Sequence, residues 1–220
     1  MTAATLHDWP AFIRQNTALL NPPLVPEIRL HLAEESLPIW RKTEEELGEM
    51  NVPPPFWAFA WAGGQALARY LIDTPELAAG KSVLDLGTGS GLTAIAAMMA
   101  GASDVLASDI DAVALHATRL NAEVNGVDVG VCGDDLLACA PDSRFGLVLV
   151  ADLFYERALA DLVLGYIERA VAGGAIVLIG DPQRSYFPRD RFVEVAHYSV
   201  PVTRELEDAE IKRTAVWRLG

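Results

Sequence analysis

Cysteine is nearly absent from this sequence: the chain of 220 residues has two, Cys132 and Cys139. Their separation is wrong for a CxxC pair, so neither a disulfide framework nor a thiolate metal site is expected. The four histidines, His7, His31, His116 and His197, are scattered, whereas zinc ligands come in tight pairs. No metal is predicted, and both thiols read as those of a reducing compartment. Long apolar runs are also missing. None approaches the roughly 20 residues of a membrane helix. The N-terminus carries Asp8 and Pro10 early and lacks the basic-then-apolar order of a secretory signal or the arginines of a transit peptide. The expected location is the cytoplasm, away from membranes. Positive charge is scarce as well. Seventeen Lys and Arg stand against 30 Asp and Glu, a formal net charge of −13. Such a surface repels phosphate backbones and argues against nucleic acid as a partner. It suits a basic, lysine-bearing protein, and it serves solubility equally well.

What is present is core material, with 51% apolar residues, and no internal repeat. The apolar spacing of Trp9, Phe12, Ile13, Leu19 and Leu20 predicts a helix over Asp8–Leu20, with Pro10 tolerated in its first turn. Ile28, Leu30 and Leu32 alternate like a short strand. A second helix is predicted over Pro38–Leu47, and Pro53-Pro54-Pro55 then imposes an extended connection. Residues 1–60 read as an extension packed on a core domain of residues 61–220. In that domain strands over Ser82–Leu86, Asp104–Ser108, Val127–Cys132, Gly146–Ala151 and Ala175–Gly180 alternate with helices over Leu92–Ala100, Ala112–Asn125 and Arg157–Val171. Short apolar strands separated by helices make an α/β fold with a parallel sheet covered on both faces. Two last strands, Phe192–Val200 and Thr214–Leu219, have no helix between them and predict an antiparallel C-terminal hairpin. Seven strands in this arrangement are the Rossmann-like methyltransferase sheet.

The strongest local motif is Val83-Leu84-Asp85-Leu86-Gly87-Thr88-Gly89-Ser90-Gly91, a buried strand entering a glycine-rich turn and a helix. Glycines at 87, 89 and 91 let the backbone pass close under a ligand. The GxGxG spacing differs from the GxGxxG usual in dinucleotide sites. Asp85 would repel a pyrophosphate but can bind the ammonium of a methionine moiety, directly or through water. Asp109 ends the next strand, where a carboxylate can accept both hydroxyls of a ribose. Asp111 fits a helix cap. Of Asp134 and Asp135, one can take the adenine amino group; a solvated acidic loop is the competing reading. Trp61, followed by Gly63-Gly64, can wall the pocket, while Trp57 and Phe59 read more simply as core. Together these groups predict S-adenosylmethionine as cofactor, with S-adenosylhomocysteine as product.

The fourth core strand ends in Ala151-Asp152-Leu153-Phe154-Tyr155-Glu156. Ligands sit at the carboxyl ends of strands in open parallel sheets, so Asp152 stands where a methyl group would be presented. A carboxylate beside aromatic rings suits an amine acceptor; the bland alternative is a helix cap. The Asp152–Glu156 block resembles the Asp-x-Phe-Tyr-Asp/Glu signature of the lysine methyltransferases that modify the β-subunit of electron transfer flavoprotein. Pro54-Pro55-Phe56-Trp57, Trp61-Ala62-Gly63-Gly64-Gln65-Ala66-Leu67, Asp109-Ile110-Asp111, Gly180-Asp181-Pro182 with Arg184, and Lys212 to Leu219 extend the resemblance over the chain from about Ile28 onward. It implies a protein lysine acceptor, in that β-subunit first and a ribosomal protein second. It also implies that Asp152 and Tyr155 shape the lysine channel, with Phe154 in the same block, that Glu156 contacts substrate or braces the loop, and that Ala151 lies near the cofactor. Gln183 stands where relatives often have Gly, and Ala62 where many have Pro. A small-molecule N-methyltransferase on the same fold and a non-catalytic binding module are the alternatives. A NAD-dependent oxidoreductase is disfavoured by Asp85 and the glycine spacing.

Overall fold

The computed structural model describes residues 8–33, 54–202 and 210–220. The helix predicted over Pro38–Leu47 lies outside them. The first helix, α1 (Trp9–Asn16), starts at Asp8, whose side chain accepts from the Ala11 amide. It is shorter than the apolar spacing predicts. The Thr17 hydroxyl bonds back to the Ile13 carbonyl at 2.6 Å, and Ala18–Leu20 leaves the helix to form β1, antiparallel to β2 (Leu30–Leu32). Sheet pairing there outweighs the helical periodicity.

Next comes α2 (Ala62–Asp73), which sequence periodicity misses because Gly63 and Gly64 open it. The core then alternates: β3 (Ser82–Leu86), α3 (Leu92–Met99), β4 (Asp104–Ser108), α4 (Ala112–Val124), β5 (Gly130–Cys132), β6 (Leu147–Ala151), α5 (Arg157–Ala172) and β7 (Ile176–Asp181). The hairpin β8 (Phe192–Pro201) and β9 (Ile211–Leu219) closes the chain. The main sheet has seven strands in the order β5-β4-β3-β6-β7-β9-β8. β5 to β7 run parallel, and β9 inserts antiparallel between β7 and β8. The predicted α/β class, the mostly parallel sheet and the terminal hairpin are all present.

Alternation along each strand sorts the core into two layers. Val83, Leu147, Leu149, Leu178 and Val216 face α2 and α3, while Leu84, Val148, Val150, Ile179 and Trp217 face the α5 side. Both faces are covered, which accounts for the continuous apolar runs of the parallel strands.

The described part of the N-terminal region is tied to α4. Asn121, fully buried, accepts from the His31 amide at 2.7 Å and donates to the Ser90 carbonyl at 2.8 Å. One side chain thus joins β2 to the glycine turn. Asn125 repeats the link by exchanging two hydrogen bonds with the Arg29 backbone. Ile13 and Trp57 bury against Val113, Ala114 and Ala117 of α4. Among the described residues no helix is long and apolar enough to cross a membrane.

Candidate active site

The carboxyl ends of β3, β4, β6 and β7 converge on one region, and the predicted site residues divide between two ends of it.

At the first end, the turn after β3 carries Gly87, Gly89 and Gly91, the last as the N-cap of α3. Gly87 has φ +69°, and a Cβ there would lie 2.8 Å from Leu153 Cδ2. That position therefore needs glycine both for its backbone conformation and for the close passage of Leu153. Asp85 sits beneath the turn, 1% exposed. Its two oxygens accept the hydroxyls of Thr88 and Thr93, each at 2.6 Å. Burial pushes its pKa up to about 6, against the opposing pull of those hydroxyls. Asp109 reaches across from β4: Oδ2 accepts from the Gly89 amide at 2.9 Å and Oδ1 from the Asp111 amide at 3.0 Å. Burial raises its pKa too. Backbone amides add to these contacts, from Ala94 at Asp85 and from Ile110 at Asp109. Asp111 caps α4 through the Val113 amide. Asp135 is spent on the Leu137 amide, while Asp134 is exposed, with Cys132 Sγ 3.6 Å from its Oδ2. A buried carboxylate under a glycine turn, a second at the end of the next strand, and a passage that a Cβ would fill are what a nucleoside carrying an aminoacyl tail requires. The residues fit S-adenosylmethionine.

The second end is built around Asp152, at the end of β6 and 8% exposed. Its carboxylate accepts from the amides of Gly63 (3.2 Å) and Gly64 (2.8 Å), the opening turn of α2. Arg184 donates to Oδ1 through both Nε (2.9 Å) and Nη2 (2.6 Å). A helix N-terminus and a guanidinium each stabilise a buried carboxylate. Asp152 is therefore an anchor: it fixes the start of α2 and, through Arg184, the turn after β7. The Arg184 guanidinium also lies 5.3 Å over the Trp61 ring.

Close beside it, Asp181 is fully buried at the end of β7. Its Oδ1 accepts from the Arg184 amide at 2.7 Å, and its carbonyl accepts from Trp217 Nε1 at 3.1 Å. Its Oδ2 is buried and has no hydrogen-bond partner among the described residues. Burial, with Asp152 nearby, pushes the Asp181 pKa up to about 7.

Backbone contact closes the second end. A Cβ on Gly63 would lie 2.2 Å from the Gly180 carbonyl oxygen, and one on Gly180 would lie 2.1 Å from that of Gly63. Those two glycines let α2 touch β7 directly, which brings Trp61, the N-cap of α2, over the site.

The Asp152–Glu156 block does not act as one surface. Phe154 is fully buried and packs edge-on to Phe187 at 5.2 Å, inside the core rather than in a channel. Tyr155 points out, 47% exposed, with its ring 5.9 Å from Phe56. Burial, Glu156 and Asp109 all raise the Tyr155 pKa, in that order. Glu156 is exposed at the N-cap of α5, with no side-chain cap bond. Ala151 is half-buried on the α2 side of β6. Sequence reasoning left Arg184, Asp181 and Phe56 without roles. The Gly-Asp-Pro segment followed by Arg184 was the available signal, since a buried acid needs a cation nearby. Among the described residues no group of His, Cys, Asp and Glu is placed to hold a metal.

The sheet order and the two-ended site define a Rossmann-like, S-adenosylmethionine-dependent methyltransferase. A family model described as Ribosomal protein L11 methyltransferase (PrmA) matches residues 65–180. The fold is shared with magnesium protoporphyrin IX methyltransferase from Synechocystis, solved with bound SAM, at a TM-score of 0.54 and 15% identity over 83% of this chain and 88% of that one. Electron transfer flavoprotein beta subunit lysine methyltransferase from Danio rerio is 40% identical over 213 residues, 94% of this chain and 81% of that protein. Its counterpart from Xenopus laevis is 40% identical over 94% of this chain and 85% of its own length. The chain belongs to the electron transfer flavoprotein beta subunit lysine methyltransferase family.

Proposed function

We propose that this enzyme transfers methyl groups from S-adenosylmethionine to lysine ε-amines of the electron transfer flavoprotein β-subunit. The observation that carries this reading is the likeness to relatives of that name along nearly the whole chain. The match to the PrmA model supports a ribosomal protein as a second substrate. The net charge of −13 favours a lysine-bearing protein over nucleic acid. We assign residues 1–60 to an extension packed on the catalytic domain of residues 61–220, and place the reaction in the cytoplasm.

The cofactor supplies an activated methyl on a positively charged sulfur. Everything else falls to the chain. Asp85 would hold the aminoacyl end electrostatically, Gly87, Gly89 and Gly91 would let it lie against the backbone, Asp109 would take the ribose hydroxyls, and Asp134 would serve the adenine. Ala151 and Trp61 would stand on the methyl side. Asp152 positions rather than deprotonates: its carboxylate already holds Arg184 and two amides, so the amine proton leaves to water. Tyr155 lines the acceptor entrance, Phe154 braces it from within the core, and Glu156 meets the incoming protein. Most of the acceleration then comes from alignment and exclusion of water.

The test supplies radiolabelled S-adenosylmethionine and purified enzyme to a cell extract and identifies the labelled species. Label in the β-subunit is expected. Label confined to a small metabolite would overturn the proposal in favour of a small-molecule methyltransferase.

A further inference from the structure

Four aromatic rings run contiguously along the second end of the site. Phe59 lies 5.7 Å from Trp61, Trp61 lies 6.2 Å from Phe56, and Phe56 lies 5.9 Å from Tyr155. The last two form an open notch: their planes tilt by 48°, and they are 53% and 47% exposed. Large rings left in water forgo the stabilisation that burial gives, so a paired exposure at a site calls for an occupant.

Its position identifies that occupant. The Trp61 indole N–H donates to the Phe56 carbonyl at 2.9 Å, which fixes Phe56 beside the ring that already carries the Arg184 cation. The other wall, Tyr155, stands three residues beyond Asp152 and two beyond Leu153, whose side chain passes close over Gly87 of the glycine turn. Trp57, the neighbour of Phe56, passes with its Cα 3.9 Å from where a Gly89 Cβ would be. The notch therefore opens between the glycine turn and the Asp152 anchor, where an amine must enter to meet the methyl.

We propose that Phe56 is an acceptor-binding residue which, with Tyr155, retains the partly methylated lysine and so sets how many methyl groups it receives. This rests on the lysine reading above. In each round the amine nitrogen bonds to the methyl carbon, the carbon–sulfur bond breaks with its electron pair staying on sulfur, and the resulting ammonium releases a proton to water before the next round. Each added methyl removes a hydrogen-bond donor while the protonated amine keeps its charge. Water then holds the ammonium less well, and aromatic faces hold it better by comparison. An acceptor retained in this way is carried to the trimethyl state before it departs.

The test compares wild type with Phe56→Ala, Phe56→Leu and Phe56→Tyr on excess electron transfer flavoprotein β-subunit, with the methylation state read by mass spectrometry at low conversion. Wild type and Phe56→Tyr are expected to build trimethyllysine while most substrate is still unmodified. Phe56→Ala and Phe56→Leu should accumulate mono- and dimethyllysine, with KM for pre-methylated substrate raised roughly 2- to 30-fold. Unchanged S-adenosylhomocysteine affinity by calorimetry would show that both variants are folded. A wild-type product ladder in Phe56→Ala, or in Phe56→Leu, overturns the proposal. Absence of methyllysine with wild type would instead overturn the lysine reading on which it stands.

Discussion

Asp152 and Arg184 meet at 2.6 Å, and a backbone position that side chains seldom adopt lies on each side of the contact, at Asp152 itself and at the residue before Arg184. Asp152 itself has φ +59°, and Gln183, immediately before Arg184, has φ +65°. Among the described residues these are the non-glycine positions with positive φ. Such a conformation costs about 1–2 kcal/mol at each position. Strain of this kind persists where the surroundings fix it, and it clusters at functional sites. One strained residue, Asp152, is a member of the ion pair and the other, Gln183, directly precedes its partner; the pair in turn holds the first turn of α2 and the Trp61 ring.

Removing the cation should therefore misplace the acceptor rather than the cofactor. Arg184→Ala is expected to lower kcat roughly a hundredfold, the scale of a small displacement at a reacting centre. Calorimetry should find S-adenosylhomocysteine affinity nearly unchanged. Arg184→Lys should recover little, because an ammonium cannot present the planar pair of donors. Equal activity in Arg184→Lys and wild type would show that charge alone suffices.

The opening of α2 gives a matched pair of variants. A Cβ at Gly63 would collide with the Gly180 carbonyl oxygen at 2.2 Å, whereas one at Gly64 meets nothing nearer than Leu92 Cδ2 at 3.8 Å. Gly63→Ala should cost on the order of 3 kcal/mol, at the upper end for overpacking. Gly64→Ala should be neutral or stabilising by up to about 1 kcal/mol, from helix propensity. Thermal denaturation of the two variants side by side checks both signs.

That pair also marks how far the sequence could be read. Strands Ser82–Leu86 and Asp104–Ser108 agree with prediction residue for residue, because short apolar segments between turns leave little choice. The positions of the glycine turn, Asp85 and Asp109 were legible for a related reason: they follow from a local strand-turn-helix context. The α2 helix was not legible, since adjacent glycines oppose helix formation and only contact with β7, far along the chain, requires them. The partner of Asp152 was hidden in the same way. A carboxylate before an apolar helix suggests a cap or a base, and nothing local reveals that Arg184 fills it. Phe154 and Tyr155 are neighbours in sequence yet face opposite ways, one into the core and one to solvent.

At the cofactor end, Gly87→Ala combines a φ of +69° with a Cβ 2.8 Å from Leu153 Cδ2. Leu153 is flexible at its tip and can yield, so the fold should survive while the turn loses its fit to the ligand. Calorimetry is expected to show weaker S-adenosylhomocysteine binding, and Gly87→Arg should abolish it. Full affinity in Gly87→Arg would place the cofactor elsewhere.

Asp181 gives stability a pH dependence of predictable sign. Its pKa is raised from 3.8 to about 7 by burial, so the folded state binds its proton more tightly than the unfolded chain does. Its contribution to stability is full below about pH 4 and falls as pH rises towards 7. Asp181→Asn keeps an acceptor for the Arg184 amide and carries no charge. It should melt several degrees above wild type at pH 8, with the gap narrowing towards pH 5. A gap that widens on acidification would mean that Asp181 is stabilised in its ionised form.

The lysine acceptor on the electron transfer flavoprotein β-subunit is open to direct observation. The most direct measurement is mass spectrometry of the purified β-subunit after incubation with enzyme and S-adenosylmethionine, with fragmentation to locate the modified residue. Methyl groups are expected on lysine nitrogen, reaching the trimethyl form, with roughly a hundredfold less product from Arg184→Ala at equal early times. An unmodified β-subunit, or methyl groups on arginine or histidine, would contradict it.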